Sequence, residues 1–427
     1  MRLVKVVHLN AYDGNGGAGR ACLRLHKALK GEGIRSEVWV NYKFGKDSET
    51  SSFNASFLRK SLTAFRILSE RFISSSVAKK LKIPFSVPVW GNSISSHPAL
   101  KTANLIHLHW VNHAFLRPRD LAALKKLNKP IVWTFHDSNA FTGGCHVRYA
   151  CDHYQNECGN CPLLKQSDEN DLSHKIWKAK RKAYSALPFT VIAPSNWMAS
   201  SVAMSKLLGS RTVEVIPNTL DTSVFSPYDR LEAKTKLGLS PDKFLILCGF
   251  MPSRNDLHKG APYLLEALSL LVKEKEEIAK NFQLVVFGNR DSQNVFEFPI
   301  ETTFLGTISN DEKLALCYSA ADVFVTPSLE DNLPNTVMES LSCGTPVVAF
   351  TTGGIPDMVI HLVNGFLADY KSASSLAKGI QWVYEHSDPI AMRREARRTV
   401  EETFSEKVIA ERHIKLYTSL INQDPGF

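Results

Sequence analysis

The chain lacks any run of about 18 consecutive apolar residues, the length a helix needs to cross a bilayer. It also lacks internal repeats and low-complexity tracts, which leaves ordinary globular domains as the architecture to consider. The opening MRLVKVVHLN pairs basic residues with an apolar stretch. It is too short for a secretory leader and runs into a Gly-rich turn instead of a cleavage site, so a first buried strand of a cytosolic protein is expected. Cysteine is sparse and unevenly placed. Of eight, Cys22, Cys248, Cys317 and Cys343 stand singly in apolar surroundings and read as small core residues, while the other four are clustered. Acid is nearly missing between Ser56 and Lys82, where Glu70 alone faces Arg59, Lys60, Arg66, Arg71, Lys79, Lys80 and Lys82. That stretch carries much of the formal net charge of +9, and a basic balance favours anionic partners: nucleotides, lipid head groups or nucleic acid.

What is present points to two domains. At 427 residues and 44% apolar content, the chain can bury two cores. Short apolar, β-branched runs recur at Val4–Asn10, Glu37–Asn41, Leu105–Leu108, Ile131–Phe135 and Thr190–Ala193. They recur again at Val213–Ile216, Phe244–Gly249, Gln283–Gly288, Thr303–Leu305, Val323–Thr326 and Val347–Phe350. Helical patterns such as Arg20–Gly31, Ala261–Lys275 and Asp311–Ala320 alternate with them. Alternation of this kind predicts parallel sheets covered on both faces, with right-handed crossovers. The expectation is an α/β protein of two doubly wound, Rossmann-like domains facing a cleft. Residues 1–208 would form the first, with a Cys-rich insertion at 141–164, and residues 209–387 the second. A helical segment, 388–427, would pack back across the junction.

The segment Thr326–Asp357 holds the most chemistry. A strand ends at Thr326, the turn Asp331-Asn332-Leu333-Pro334-Asn335 follows, and a helix is predicted to start near Thr336 and to stop at Gly344. A helix N-terminus presents unpaired N–H groups and the positive end of its dipole, which suits a phosphate. Glu339, one turn in, can accept hydrogen bonds from sugar hydroxyls. The competing reading is a capping box, Thr336-x-x-Glu339, in which the carboxylate only bonds the backbone.

Two other features allow more than one reading. The loop Gly14-Asn15-Gly16-Gly17-Ala18-Gly19 fits G-x-G-x-x-G, a dinucleotide fingerprint, but the second strand ends in Asn41 where an acid is needed; a plain tight turn also fits. Cys145, Cys151, Cys158 and Cys161 are spaced C-x5-C-x6-C-x2-C, and the C-x2-C pair has the bite of a zinc knuckle. A closed structural Zn²⁺ site is the expectation, with unmetallated thiols or disulfides as alternatives and His146 and His153 as alternative ligands. In Ser56–Lys82 the apolar residues recur at helical spacing with basic ones interleaved. The expectation there is a helix packed on its own sheet with a solvated basic face, and the alternative is one lying on an anionic membrane.

The segment with Asp331, Glu339 and the run Cys343-Gly-Thr-Pro-Val-Val348 resembles the signature of retaining glycosyltransferases of family four, which have the GT-B fold. The resemblance extends over most of the chain. It implies that Glu339 binds the donor ribose, that Asp331, one methylene shorter than the family's glutamate, contacts the donor sugar, and that Asn332, Leu333, Pro334, Asn335 and Thr336 line the nucleotide-sugar site. It implies that Lys259 and Arg254, on the loop after the strand Phe244–Gly249, neutralise the donor diphosphate. Fixed cations there would stabilise leaving-group charge without a metal. It implies that Gly16 and Gly17 let the backbone approach donor or acceptor, and that His136 lies close to the transferred sugar. Asn218, in VIPNTLDTSVF, resembles an inter-domain turn residue with no catalytic part. The TGGC…C…CxxCP insertion resembles a subgroup related to colanic acid and other exopolysaccharide pathways.

The implied function is transfer of a hexosyl group from a UDP- or GDP-sugar to a glycan or lipid-linked glycan, in the cytoplasm or peripherally on the inner face of the cell membrane, through residues 56–82. Two competitors are an NAD-dependent oxidoreductase using Gly14–Gly19, which leaves Lys259 and Glu339 without a task, and a zinc-stapled nucleic-acid-binding protein. The latter lacks an interleaved aromatic platform, and no nucleic-acid partner is expected.

Overall fold

A computed structural model describes residues 4–14, 16–45, 48–79, 84–249, 257–288 and 297–423. The chain divides into two compact units, one made of residues up to Thr219 together with those from Lys407 on, the other of Leu220–Glu406. Among the described residues, no helix is long and apolar enough to cross a membrane.

The first unit is built on seven strands: β1 Lys5–Tyr12, β2 Arg35–Tyr42, β3 Thr50–Ser52, β4 Leu105–Leu108, β5 Ile131–Thr134, β6 Thr190–Ala193 and β7 Val213–Val215. All pair in parallel, in the order β3-β2-β1-β4-β5-β6-β7. The second unit has β8 Phe244–Gly249, β9 Phe282–Phe287, β10 Glu301–Gly306, β11 Val323–Thr326, β12 Val347–Phe350 and β13 Gly365–Ala368. These are also parallel, in the order β10-β9-β8-β11-β12-β13. The doubly wound expectation therefore holds for each unit.

Burial alternates across each sheet as the pleat requires. Val7 and Leu9 of β1 enter one apolar cluster while Val6 enters another, and Leu245 and Leu247 of β8 oppose Ile246 and Cys248 in the same way. Layers on both faces explain why the central strands read as unbroken apolar runs.

Two strands were not anticipated. β3, Thr-Ser-Ser, is an edge strand with no apolar residue, and β13 opens on Gly365, where a Cβ would stand 2.1 Å from the Val347 carbonyl oxygen. The unit boundary also differs from the expected one. β7 pairs with β6 through Val191↔Val213, so residues 209–219 belong to the first sheet. The 388–427 segment splits. Met392, Ala396 and Val400 of the helix Pro389–Thr403 fill the second unit's core, whereas Ile409, Ala410 and Tyr417 of the helix Glu406–Gln423 pack with Val6, Leu105 and Ile192 of the first.

In each sheet the strand order reverses at one place, between β1 and β4 and between β8 and β11. Open α/β sheets bind ligands just beyond the carboxyl ends of the strands at such a reversal. Among the described residues, Lys259, Asp331 and His136 follow the carboxyl ends of β8, β11 and β5, at or next to these reversals, and the helices holding Gly16, Gly17 and Glu339 follow β1 and β11.

Candidate active site

In the second unit the loops after β8, β11 and β12 are laced together by backbone contacts. Leu329 N–H donates to the His258 carbonyl at 2.9 Å, and Gly354 N–H donates to the Asp331 carbonyl at 3.0 Å. Thr352 Oγ1 donates to the Leu329 carbonyl at 3.0 Å. Two glycines make the lacing possible. Gly260, at φ 71°, leaves room where a Cβ would lie 1.8 Å from the Pro327 carbonyl oxygen, and Gly353, at φ 56°, does the same beside that of Asp331. Side chains are excluded there both by space and by the left-handed backbone.

This lacing brings two candidates into contact. Lys259 Nζ lies 2.9 Å from Asp331 Oδ2, and both side chains are partly exposed. Asp331 thus meets the cation proposed for the diphosphate. Arg254 lies outside the described residues. Asn332 and Leu333 are buried, and Pro334 is the N-cap of the helix Asn335–Ser342, whose second residue is Thr336. This placement excludes the capping box: Thr336 already lies within the helix, and Glu339 falls at its fifth position, beyond reach of the first amides. Glu339 is instead 1% exposed and accepts a hydrogen bond from the Tyr318 hydroxyl at 3.1 Å. Tyr318 escaped the sequence reading because it sits mid-helix in Asp311–Ala320, one apolar-looking residue among several.

In the first unit Gly16, at φ 80°, and Gly17 open the helix Gly16–Gly31 directly after β1. His136 follows β5 and is backed by two more imidazoles. His136 Nε2 lies 3.1 Å from His109 Nδ1, and His109 Nε2 lies 3.0 Å from His8 Nδ1, so neighbouring strands β5, β4 and β1 supply one hydrogen-bonded chain. Burial lowers His136 to about 4, against the pull of Asp137, and drives His109 and His8 well below the ordinary value. All three imidazoles are therefore neutral at pH 7. His107 bonds Tyr417 and Thr134 at 2.7 Å each and serves the core. His136, His109, Asn218 and His413 line one small cavity. Asp137 is fixed by Trp110 Nε1, Asn139 N and His146 Nδ1. Burial pushes this carboxyl up, but His146 and the N–H donors outweigh burial and hold it below its usual value.

The four clustered cysteines line one cavity of about 20 Å³, room for a single water-sized occupant, together with His153. All four are free thiols. Among the described residues, the one set of three such donors with all ligand atoms within 4.8 Å of one another is His8, His107 and His109, not the cysteines. Thiolates on zinc stand roughly 3.8 Å apart, as Zn–S bonds near 2.3 Å require, so the sulfurs would have to draw inwards around an ion. His146 is removed as a ligand because Ser86 Oγ and Asp137 Oδ2 engage its two nitrogens at 2.7 and 2.6 Å. His153 spends Nδ1 on the Gly159 carbonyl and lines the same cavity.

Comparison with known proteins bears on the family and the fold. Residues 15–224 match the family described as Glycosyltransferase Family 4, and residues 229–402 match Glycosyl transferases group 1. The putative colanic acid biosynthesis glycosyl transferase WcaC of Escherichia coli is 23% identical over 361 residues, covering 81% of this chain and 83% of that one. The Anabaena protein Alr3699/HepE, solved in complex with UDP, aligns over 97% of this chain and 100% of its own with a TM-score of 0.63 at 17% identity. Sucrose-phosphate synthase from Thermosynechococcus elongatus aligns over 98% and 99% with a TM-score of 0.64 at 18% identity. These likenesses establish the GT-B fold. Neither the oxidoreductase nor the nucleic-acid reading finds support among them.

Proposed function

Because the chain belongs to the family-four glycosyltransferases, we propose that it moves a hexosyl group from a nucleotide-sugar to a glycan or lipid-linked glycan with retention of anomeric configuration, in polysaccharide biosynthesis. The observation that carries this reading is the meeting of Lys259 and Asp331 beside the helix that holds Glu339, at the strand reversal of the second sheet. UDP is favoured over GDP by the UDP complex of the Anabaena protein. Support for exopolysaccharide as product comes from the likeness to WcaC.

In this mechanism the bond between the sugar's anomeric carbon and the diphosphate oxygen breaks while the acceptor oxygen bonds the same carbon from the same face. The acceptor proton passes to the departing phosphate. Negative charge grows on that phosphate, and Lys259, with the positive end of the dipole of the helix Asn335–Ser342, stabilises it, so no divalent ion is required for transfer. Asp331 holds Lys259 in place by its ion pair, a positioning task that suits its short side chain. Glu339 accepts hydrogen bonds from the ribose hydroxyls, and Tyr318 orients the carboxylate. In the first unit, neutral His136 is the group suited to orient a sugar hydroxyl, and Gly16 and Gly17 open the backbone to donor or acceptor.

Cys145, Cys151, Cys158 and Cys161, drawn inwards from their present spacing, would hold a structural Zn²⁺ that would staple the loop following His136-Asp137. Metal analysis of the purified protein tests this, and less than one zinc per chain removes it. The enzyme works in the cytoplasm, where it meets its lipid-linked acceptor at the inner membrane face.

Thermal stabilisation by UDP, GDP, ADP and NAD, measured on the native protein, Lys259→Ala and Glu339→Ala, tests the donor site. The expected result is a UDP shift lost in both variants. A shift with NAD, or a nucleotide shift that survives both substitutions, overturns the assignment. Product analysis by NMR decides retention against inversion.

A further inference from the structure

The helix Phe57–Val77 is built inside out for a helix on a soluble protein. The sequence pattern predicts an apolar face against the sheet and a solvated basic face, yet its buried residues are Thr63, Ile67, Glu70 and Ser74. Glu70, the one acid, is 2% exposed and accepts from the backbone N–H of Ala114 at 3.0 Å and of Trp90 at 3.2 Å. Ser74 Oγ accepts from Val87 N–H at 3.1 Å. The helix is thus anchored through polar groups. Its large apolar residues point away: Phe57 is 83% exposed, Leu58 80%, Leu62 48%, Phe65 63%, Leu68 64% and Phe72 73%.

At about 100° per residue, the angular arrangement has three sectors. Counting from Phe57, the six exposed apolar residues fall within roughly 0–140°. The buried four fall within roughly 220–280°. Arg59 and Arg66 lie near 180–200° and Lys60 and Arg71 near 300–320°, so basic residues line both margins of the apolar arc. Arg59 and Arg66 also line a groove of about 410 Å³ alongside the helix. A protein partner would need a hydrophobic surface rimmed on both sides by acid. An anionic bilayer supplies that pattern without design: acyl chains under the apolar arc and phosphates at both margins, reached by long side chains that keep their charges at the head-group level.

From this we infer that the helix Phe57–Val77 is a membrane-docking surface for anionic phospholipid. It lies in the plane of the interface, with Phe57, Leu58, Leu62, Phe65, Leu68 and Phe72 among the acyl chains and Arg59, Lys60, Arg66 and Arg71 on the phosphates. The inference deepens the proposed membrane-face location and rests on it only for purpose, since vesicle binding needs no acceptor.

Co-sedimentation of the full-length protein with phosphatidylglycerol-containing and with pure phosphatidylcholine vesicles tests it. The expected result is binding to the anionic vesicles alone. Binding should fall roughly tenfold or more in Phe65→Ser/Phe72→Ser, and severalfold in Lys60→Glu/Arg71→Glu or at high salt. All four side chains are exposed or nearly so, and the UDP-induced thermal shift of the same variants, expected unchanged, reports that they fold. It also separates failure of this surface from failure of the donor site. No binding by the native protein, or binding that survives the Phe65→Ser/Phe72→Ser change, overturns the inference. So does self-association that this change abolishes while vesicles remain unbound, which assigns the face to a second copy of the chain.

Discussion

The two units share a parallel, doubly wound plan and load its carboxyl ends with different chemistry. Beyond β8, β11 and β12, the second unit sets Lys259 and Asp331 in segments laced by glycine contacts, next to the helix that carries Glu339. In the first unit, His8 within β1 and His109 and His136 just beyond β4 and β5 form a hydrogen-bonded chain of neutral imidazoles. Fixed charge suits a group that must meet a diphosphate, and neutral donors and acceptors suit one that must orient hydroxyls. On the function proposed here, one backbone plan serves two tasks through the different residues it places around the carboxyl edge of each sheet.

The contrast is open to breaking from either side. Acid should open the first unit first. Its buried histidines have folded pKa values below the unfolded one, so the unfolded state binds more protons as pH falls and stability is lost from about 6.5 downwards. His413, which burial lowers to about 4, and its fellows His8 and His107, which burial drives well below the ordinary value, all destabilise the fold as pH falls below that onset. Among the described residues, the second unit buries no histidine. Calorimetry at pH 7.5 and 5.5, with hydrogen exchange to locate the opening, should find the first unit melting earlier at the lower pH. Simultaneous loss of both would remove the distinction.

Catalysis gives the next effect. Lys259→Ala should lower kcat by about 10²–10³-fold and abolish the UDP shift. His136→Ala should lower kcat while leaving the UDP shift intact, a split that steady-state kinetics and thermal shifts read together. Gly260→Ala follows. A methyl group forced against the Pro327 carbonyl at positive φ should cost about 1–3 kcal/mol and loosen nucleotide binding, measured by denaturant unfolding and UDP titration. Smallest is Tyr318→Phe. Losing the hydroxyl that bonds Glu339 should cost about 1 kcal/mol and raise the donor KM severalfold with kcat nearly unchanged.

Much of the fold could be read from the chain because strands covered on both faces are forced to be apolar runs. Leu105–Leu108, Thr190–Ala193, Phe244–Gly249, Val323–Thr326 and Val347–Phe350 have the same ends in the sequence and in the structure. β3 was hidden because an edge strand of Thr and Ser has no such constraint, and β7 was given to the wrong sheet because a strand's partner is not written in its own residues. At the site, Glu339 and Lys259 were visible from motif and loop position. Tyr318, His8 and His109 were not, since their importance comes from contacts across 21 residues in one case and 101 and 27 in the others. The helix Phe57–Val77 misled for another reason. Amphipathic periodicity gives the contrast between faces, but it does not say which face is turned inward.

The return of residues from Lys407 onward to the first unit makes the second unit, in chain order, an insertion within it. On the ribosome the unit Leu220–Glu406 emerges whole before its host is finished. The first sheet, made earliest, waits for the helix Glu406–Gln423 to cover Val6 and Leu105 and to bring Tyr417 to His107. Until translation reaches that helix, a strip of the first sheet stays uncovered, and this half of the enzyme is completed last although it was started first.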